Sequence, residues 1–156
     1  MGKLLEGGKL AACNGRPQMA AAVKHYKKAA ELDCKEAMVT LGHMYEKGTP
    51  EVERNVELAM HYYQVAAEDG HDMALNYLGS FEYNRKRDFR KAAGYFKRAA
   101  DKGNARALNN LGTCYELGHG VERDLEQAFV LYAESAQKGY SHGMFNLGYM
   151  YFQKGK

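Results

Sequence analysis

Apolar and small residues return along this chain in a fixed order. An opening alanine stands at Ala22, Ala59, Ala92 and Ala128, and a Leu-Gly pair follows each at an offset of 19: Leu41-Gly42, Leu78-Gly79, Leu111-Gly112 and Leu147-Gly148. Counting from each alanine, a bulky pair stands at +3 and +4 (His25-Tyr26, Tyr62-Tyr63, Tyr95-Phe96, Leu131-Tyr132). Small residues stand at +7 and +8 (Ala29-Ala30, Ala66-Ala67, Ala99-Ala100, Ser135-Ala136). Positions 0, +4, +7 and +8 share one face of an α-helix, so the block predicts a helix with a buried stripe.

A stop follows at +11, where Gly70, Gly103 and Gly139 are free to take positive φ; Asp33 holds that place in the first copy. Ala37, Ala74, Ala107 and Gly143 come next and lead into the Leu-Gly pair, a second amphipathic pattern of about three turns. Glycine inside a helix costs roughly 0.5–1 kcal/mol relative to alanine, so its return in every copy predicts close approach of a partner helix. Tyr45, Tyr115 and Tyr151, four residues after Leu, are expected to cover that contact. The segment from Leu to the next opening alanine alone varies, with spacings of 18, 14 and 17, which places length changes in loops. Within it, Asn55 and Asp124 are expected N-caps of the helices that follow.

Such a block predicts helix pairs stacked into a solenoid. Ala107 to Gly139 resembles the Sel-one-like repeat almost throughout: small-xxx-Leu-Gly-xx-Tyr, a Gly-x-Gly-Val loop at Gly118 to Val121, Asp124, and Ala128 with its aromatic and small followers. The resemblance covers nearly the whole chain. It implies an all-α, right-handed α/α solenoid of antiparallel helix pairs in one domain over 1–156, with repeats at about 1–33, 34–70, 71–103 and 104–139 and a terminal first helix over 140–156. The copy at Leu78 departs from the pattern, with Glu82 at +4 and Asn84-Arg85-Lys86-Arg87 in place of the Gly-Val turn, and a change of superhelix curvature is expected there. Laying Met1 on the Leu position starts the chain inside a first helix, which suggests a segment of a longer array; the alternative is a complete small protein with Met1 to Asn14 as an irregular cap.

Composition narrows function mostly by exclusion. At 46% hydrophobic residues the chain can bury a continuous core, and it contains no apolar run long enough for a membrane span. Cys13, Cys34 and Cys114 form no regular pairing, whereas secreted cysteine-rich relatives of the repeat family carry one disulfide per helix pair; a cytoplasmic setting is expected, with a nuclear one as the alternative. The net charge of +3 is concentrated: Arg85 to Lys102 carries eight Lys and Arg against Asp88 and Asp101. That stretch could attract nucleic acid or an acidic protein, although a solvated helix face explains it more simply.

No residue set argues for chemistry, and no cofactor, metal or catalytic residue is expected. The histidines show neither HExxH nor metal-ligand spacing; His25 and His43 are expected between helices and His119 in solvent. Cys114 is expected as a buried thiol, and Glu36, Glu46 and Glu116 as surface carboxylates. A hydrolase is the least favoured reading. The favoured one is an adaptor that binds a protein or peptide on its concave face, with self-association through exposed end repeats as a further expectation.

In paired-helix solenoids the first helices line that face, at positions five and two before Leu and two and five after it. The groove candidates are Val39, His43, Asn76, Ser80, Tyr83, Arg106, Asn109, Thr113, Phe145 and Tyr149, with Asn110 and Asn146 one place before Leu. The asparagine amides suit the backbone of an extended peptide, and the terminal aromatics suit an anchor. A plainer reading stands against this: the asparagines bond within their own repeat, and the aromatics are core for a missing neighbour. Only Arg106 supplies a cation there, which disfavours a C-terminal acidic peptide.

Overall fold

The computed structural model describes residues 15–155. Expectations placed on Met1 to Asn14, including Cys13 and the reading of the chain's start, lie outside the described residues. Within them the order is α1 (Gly15–Glu31), α2 (Lys35–Lys47), α3 (Val56–Glu68), α4 (Asp72–Phe81), a π-helical turn (Glu82–Lys86), α5 (Phe89–Asp101), α6 (Ala105–Leu117), α7 (Leu125–Gln137) and α8 (Ser141–Lys154). No named strand occurs among the described residues; a single bridge joins Thr49 to Val52. The chain divides into two compact units, Met1–Ala66 and Ala67–Lys156.

Second helices end where the pattern places a residue able to turn left-handed. Asp33, Gly70, Gly103 and Gly139 have φ of 67°, 77°, 83° and 85°. After α5 the Gly103 amide donates to the Ala100 carbonyl (2.8 Å) and Asn104 to that of Ala99 (3.2 Å), a Schellman closure. Asp33-Cys34 and Gly139-Tyr140 repeat it on Ala30-Ala29 and Ala136-Ser135. Asn55 Oδ1 accepts from the Leu58 amide (2.9 Å), and Asp124 Oδ1 from those of Glu126 and Gln127 (3.0 and 2.9 Å), so both act as N-caps.

The mid-helix glycines are sockets for rings. A Cβ on Gly42 would lie 2.6 Å from Tyr63, one on Gly79 2.6 Å from Phe96, and one on Gly112 2.8 Å from Tyr132. The close approach expected from sequence is therefore present, but its covering residue is the +4 aromatic of the paired second helix, not Tyr45, Tyr115 or Tyr151. A tyrosine on the same helix as the glycine points elsewhere. Tyr45 packs on Val23, Met44 and Val52, Tyr115 joins the cluster of Ala128, Tyr132 and Met150, and Tyr151 meets Phe129 edge-on at 5.2 Å.

Candidate functional site

In the second unit the first helices of two repeats, α4 and α6, contribute to one cleft. Ser80, Tyr83, Asn84, Phe96, Asn110 and Thr113 line a cleft of about 120 Å³ there. Four sequence candidates, Ser80, Tyr83, Asn110 and Thr113, thus meet at one place. Asn84 and Phe96 were missed. Asn84 lies in the irregular loop, where the repeat register gives no position to read, and Phe96 was assigned wholly to the core stripe.

The asparagines form a ladder between repeats. Asn110 Nδ2 donates to Asn76 Oδ1 (3.0 Å), and Asn146 Nδ2 donates to Asn109 Oδ1 (2.9 Å). Each bond runs from the position before Leu in one repeat to the position two before Leu in the preceding repeat. Asn76 and Asn109 are buried, at 3% and 7% exposure, so their amides join repeats and are not presented to a ligand. Val39 is likewise buried in α2 rather than on an open face. His43 and Arg106 are exposed, with the Arg106 guanidinium 5.8 Å from the Tyr140 ring centre. Phe145 and Tyr149 are exposed; Tyr149 takes a hydrogen bond from Gln153 Nε2 (2.6 Å) and borders a separate hollow of about 420 Å³ with Glu116, Arg123 and Met150.

Several polar residues have roles that differ from the sequence expectation. His25, like His43, is exposed rather than packed between helices, because their register positions point away from the small-residue stripe. His119 is not a solvent residue: its ring stacks on Phe89 at 4.2 Å, and its Nδ1 lies 2.7 Å from the Tyr83 hydroxyl. Gly120 permits this, since a Cβ there would overlap the Phe89 carbonyl. Glu46 and Glu116 are half-buried acceptors rather than surface carboxylates, receiving the hydroxyls of Tyr63 (3.2 Å) and Tyr132 (2.6 Å). A signal for this was present: glutamate stands five after Leu where the facing ring is tyrosine, and Tyr83 stands there where it is Phe96.

Burial and the Glu116 carboxylate together push the Tyr132 hydroxyl far above its ordinary value, while burial raises Tyr83 as well. Burial also pushes the Cys114 thiol up to about 11, which makes it a poor nucleophile near neutral pH, as expected for a packed thiol. No cluster of His, Cys, Asp and Glu able to hold a metal occurs among the described residues, and no helix among them is long and apolar enough to cross a membrane.

Much of the basic stretch is engaged locally. Lys86 and Lys91 both reach the buried Glu82 carboxylate (3.2 and 2.9 Å), Lys97 pairs with Asp101 (3.4 Å), Arg98 donates to the Ala67 carbonyl (3.3 Å), and Arg87 lies over Phe89. The hydrogen bond that the Lys91 ammonium donates to the Glu82 carboxylate raises it above its ordinary value.

The Sel1 repeat pattern matches residues 1–34, 35–71, 72–104, 105–140 and 141–153. The chain belongs to the Sel1 repeat family. A protective antigen of uropathogenic Escherichia coli with an SLR fold aligns at a TM-score of 0.79 and 32% identity, over 85% of this Sel1 repeat chain and 29% of the antigen. A Sel1 repeat protein of Oxalobacter formigenes aligns at 0.77 and 32%, over 85% of this chain and 55% of its own. This chain therefore spans well under two thirds of either relative. Cysteine-rich protein B of Helicobacter pylori aligns at 0.63 and 23% identity, over 86% of this chain and 98% of its own, a likeness of fold alone. Comparison with curated proteins returns no match. The fold is the all-α solenoid of this family, whose members are generally protein–protein interaction scaffolds.

Proposed function

We propose that this Sel1 repeat chain is a non-enzymatic adaptor that holds a segment of a protein partner against the first-helix face of residues 72–117. The cleft beside Tyr83 and Phe96 carries the reading. Its about 120 Å³ is well below the roughly 300–1,000 Å³ of small-molecule sites, and it suits one anchoring side chain of a peptide better than a metabolite. Ser80, Asn84, Asn110 and Thr113 line the cleft together with two aromatic rings, a mixture that suits a partner segment with both polar and apolar residues.

Nucleic-acid binding through Arg85 to Lys102 is the weaker reading, because five of its eight cations are already engaged with protein groups. The free thiols of Cys34 and Cys114 favour a reducing compartment such as the cytoplasm.

Asn84→Arg fills the mouth of the cleft from an exposed position without touching the core. The test compares proteins retained from an extract of the source cells by the chain and by this variant. Loss of retained partners with an unchanged melting temperature is expected, and full retention moves the binding face elsewhere.

A further inference from the structure

The hydroxyl groups that line the cleft of α4 and α6 already have their hydrogens engaged. The Ser80 hydroxyl donates to the Asn76 carbonyl (2.9 Å), one turn back on its own helix. Tyr132 gives its hydrogen to the Glu116 carboxylate (2.6 Å). The Thr113 hydroxyl lies 3.1 Å from the Tyr132 oxygen and 3.2 Å from the Asn109 carbonyl, so its own hydrogen goes to one of those two acceptors. Tyr83 directs its hydrogen to His119 Nδ1 (2.7 Å) when the imidazole carries its proton on Nε2. A hydroxyl has one hydrogen and two lone pairs, so each of these oxygens keeps only lone pairs for a molecule that enters.

Asn110 adds an amide that is half used. Its Nδ2 donates to Asn76 Oδ1 (3.0 Å), which leaves its own Oδ1 and one N–H hydrogen without a partner among the described residues. The lining is therefore rich in acceptors, its remaining donors are the amides of Asn84 and Asn110, and none of its six residues is charged. The rings of Tyr83 and Phe96, 6.3 Å apart between centres, supply the apolar wall.

We propose that the partner side chain anchored in this cleft is a carboxamide, that of glutamine or asparagine, whose NH2 group donates to the Ser80 and Thr113 oxygens. This selectivity rests on the cleft being where the partner binds. A carboxylate of the same shape sets lone pairs against lone pairs and gives up the hydration of its charge. An ammonium or guanidinium finds acceptors but no carboxylate on the lining, and Arg85, Lys86 and Arg87 follow Asn84 along the chain. A carboxamide offers two hydrogens to the hydroxyl oxygens and one oxygen to the Asn110 N–H, and it brings no charge.

Butyramide, butyrate and butylammonium share an aliphatic stem and differ at the tip, so they serve as probes. Each is titrated into the isotope-labelled chain while the side-chain amide resonances of Asn84 and Asn110 are followed by NMR. Butyramide is expected to shift both resonances saturably, with butyrate and butylammonium each weaker by at least about fivefold. Ser80→Ala and Thr113→Val each remove one acceptor oxygen and are expected to weaken butyramide about threefold to tenfold with unchanged helical circular dichroism. Butyrate or butylammonium binding as tightly as butyramide, or undiminished butyramide binding by both variants, overturns the carboxamide anchor and leaves the cleft standing as a binding site. Saturable shifts from none of the three probes overturn both.

Discussion

The turn after α6 and the turn after α4 solve one problem with different residues. After α6, Gly118 stops the helix at φ 69°, Arg123 Nε binds the Glu116 carbonyl (2.9 Å), and the Glu116 carboxylate receives the Tyr132 hydroxyl. After α4 there is no such glycine. The chain widens into a π turn over Glu82–Lys86, Arg87 takes the left-handed position at φ 58°, and the Glu82 carboxylate turns inward to meet Lys86 and Lys91. Both turns deliver the following helix onto a glycine socket. Helix register is set by the ring in the socket, and the turn is free to vary as long as it reaches there.

If the sockets are what the two regions share, filling either is the largest perturbation. Gly112→Ala and Gly79→Ala each force a Cβ into a ring and are expected to cost about 2–3 kcal/mol, read as similar shifts in urea midpoint. Gly148→Ala is the converse, expected to stabilise α8 by about 0.5–1 kcal/mol because nothing opposes the added methyl. A large cost at Gly112 with none at Gly79 would break the comparison.

Smaller changes separate the turns. Glu82→Gln weakens the α4 turn by about 2 kcal/mol, since both lysine pairs lose their charged acceptor and the lysines are half-exposed. Tyr132→Phe makes the α6 turn resemble its counterpart at Phe96 and costs about 1.5 kcal/mol in thermal unfolding, through loss of the hydroxyl bond to Glu116. Asp124→Ala removes a cap shared by two amides and costs about 1 kcal/mol, more than Asp88→Ala, whose side chain accepts from Lys91 alone.

The last expected effect is confined to alkaline pH and is absent near neutrality. The Cys114 thiol is raised from 9.0 to about 11, so its contribution to stability is complete below pH 9 and is lost as pH climbs through 11. Stability of Cys114→Ala measured against pH is expected to fall less steeply across that window. An unchanged slope would assign the alkaline loss to the tyrosines, among which Tyr132 is also raised.

The helices, their stops and their caps were legible because they rest on local chemistry: a left-handed residue at +11, a short polar acceptor before the first turn, a buried stripe at helical spacing. The cleft was legible only in part. Register placed Ser80, Tyr83, Asn110 and Thr113 on the face where the cleft lies, but register alone did not distinguish an exposed asparagine from Asn76 and Asn109, whose amides are taken by the next repeat. His119 was misread because a Gly-x-Gly loop looks solvated until the ring of Phe89, thirty residues earlier, is brought beneath it.

Two departures from the pattern show where the division falls. Ser135 replaces an alanine of the small pair, and Gly143 replaces the alanine that precedes Leu-Gly. In the structure each accounts for the other: Ser135 Oγ donates to the Ala105 carbonyl (2.7 Å) and occupies the space that a Cβ at residue 143 would need. The sequence by itself determined the repeat, the helix ends and the socket glycines, because backbone conformation and helical spacing are local properties. Only the tertiary structure decided which ring enters which socket and which amides pair across repeats, because those depend on what another helix brings within a few ångströms.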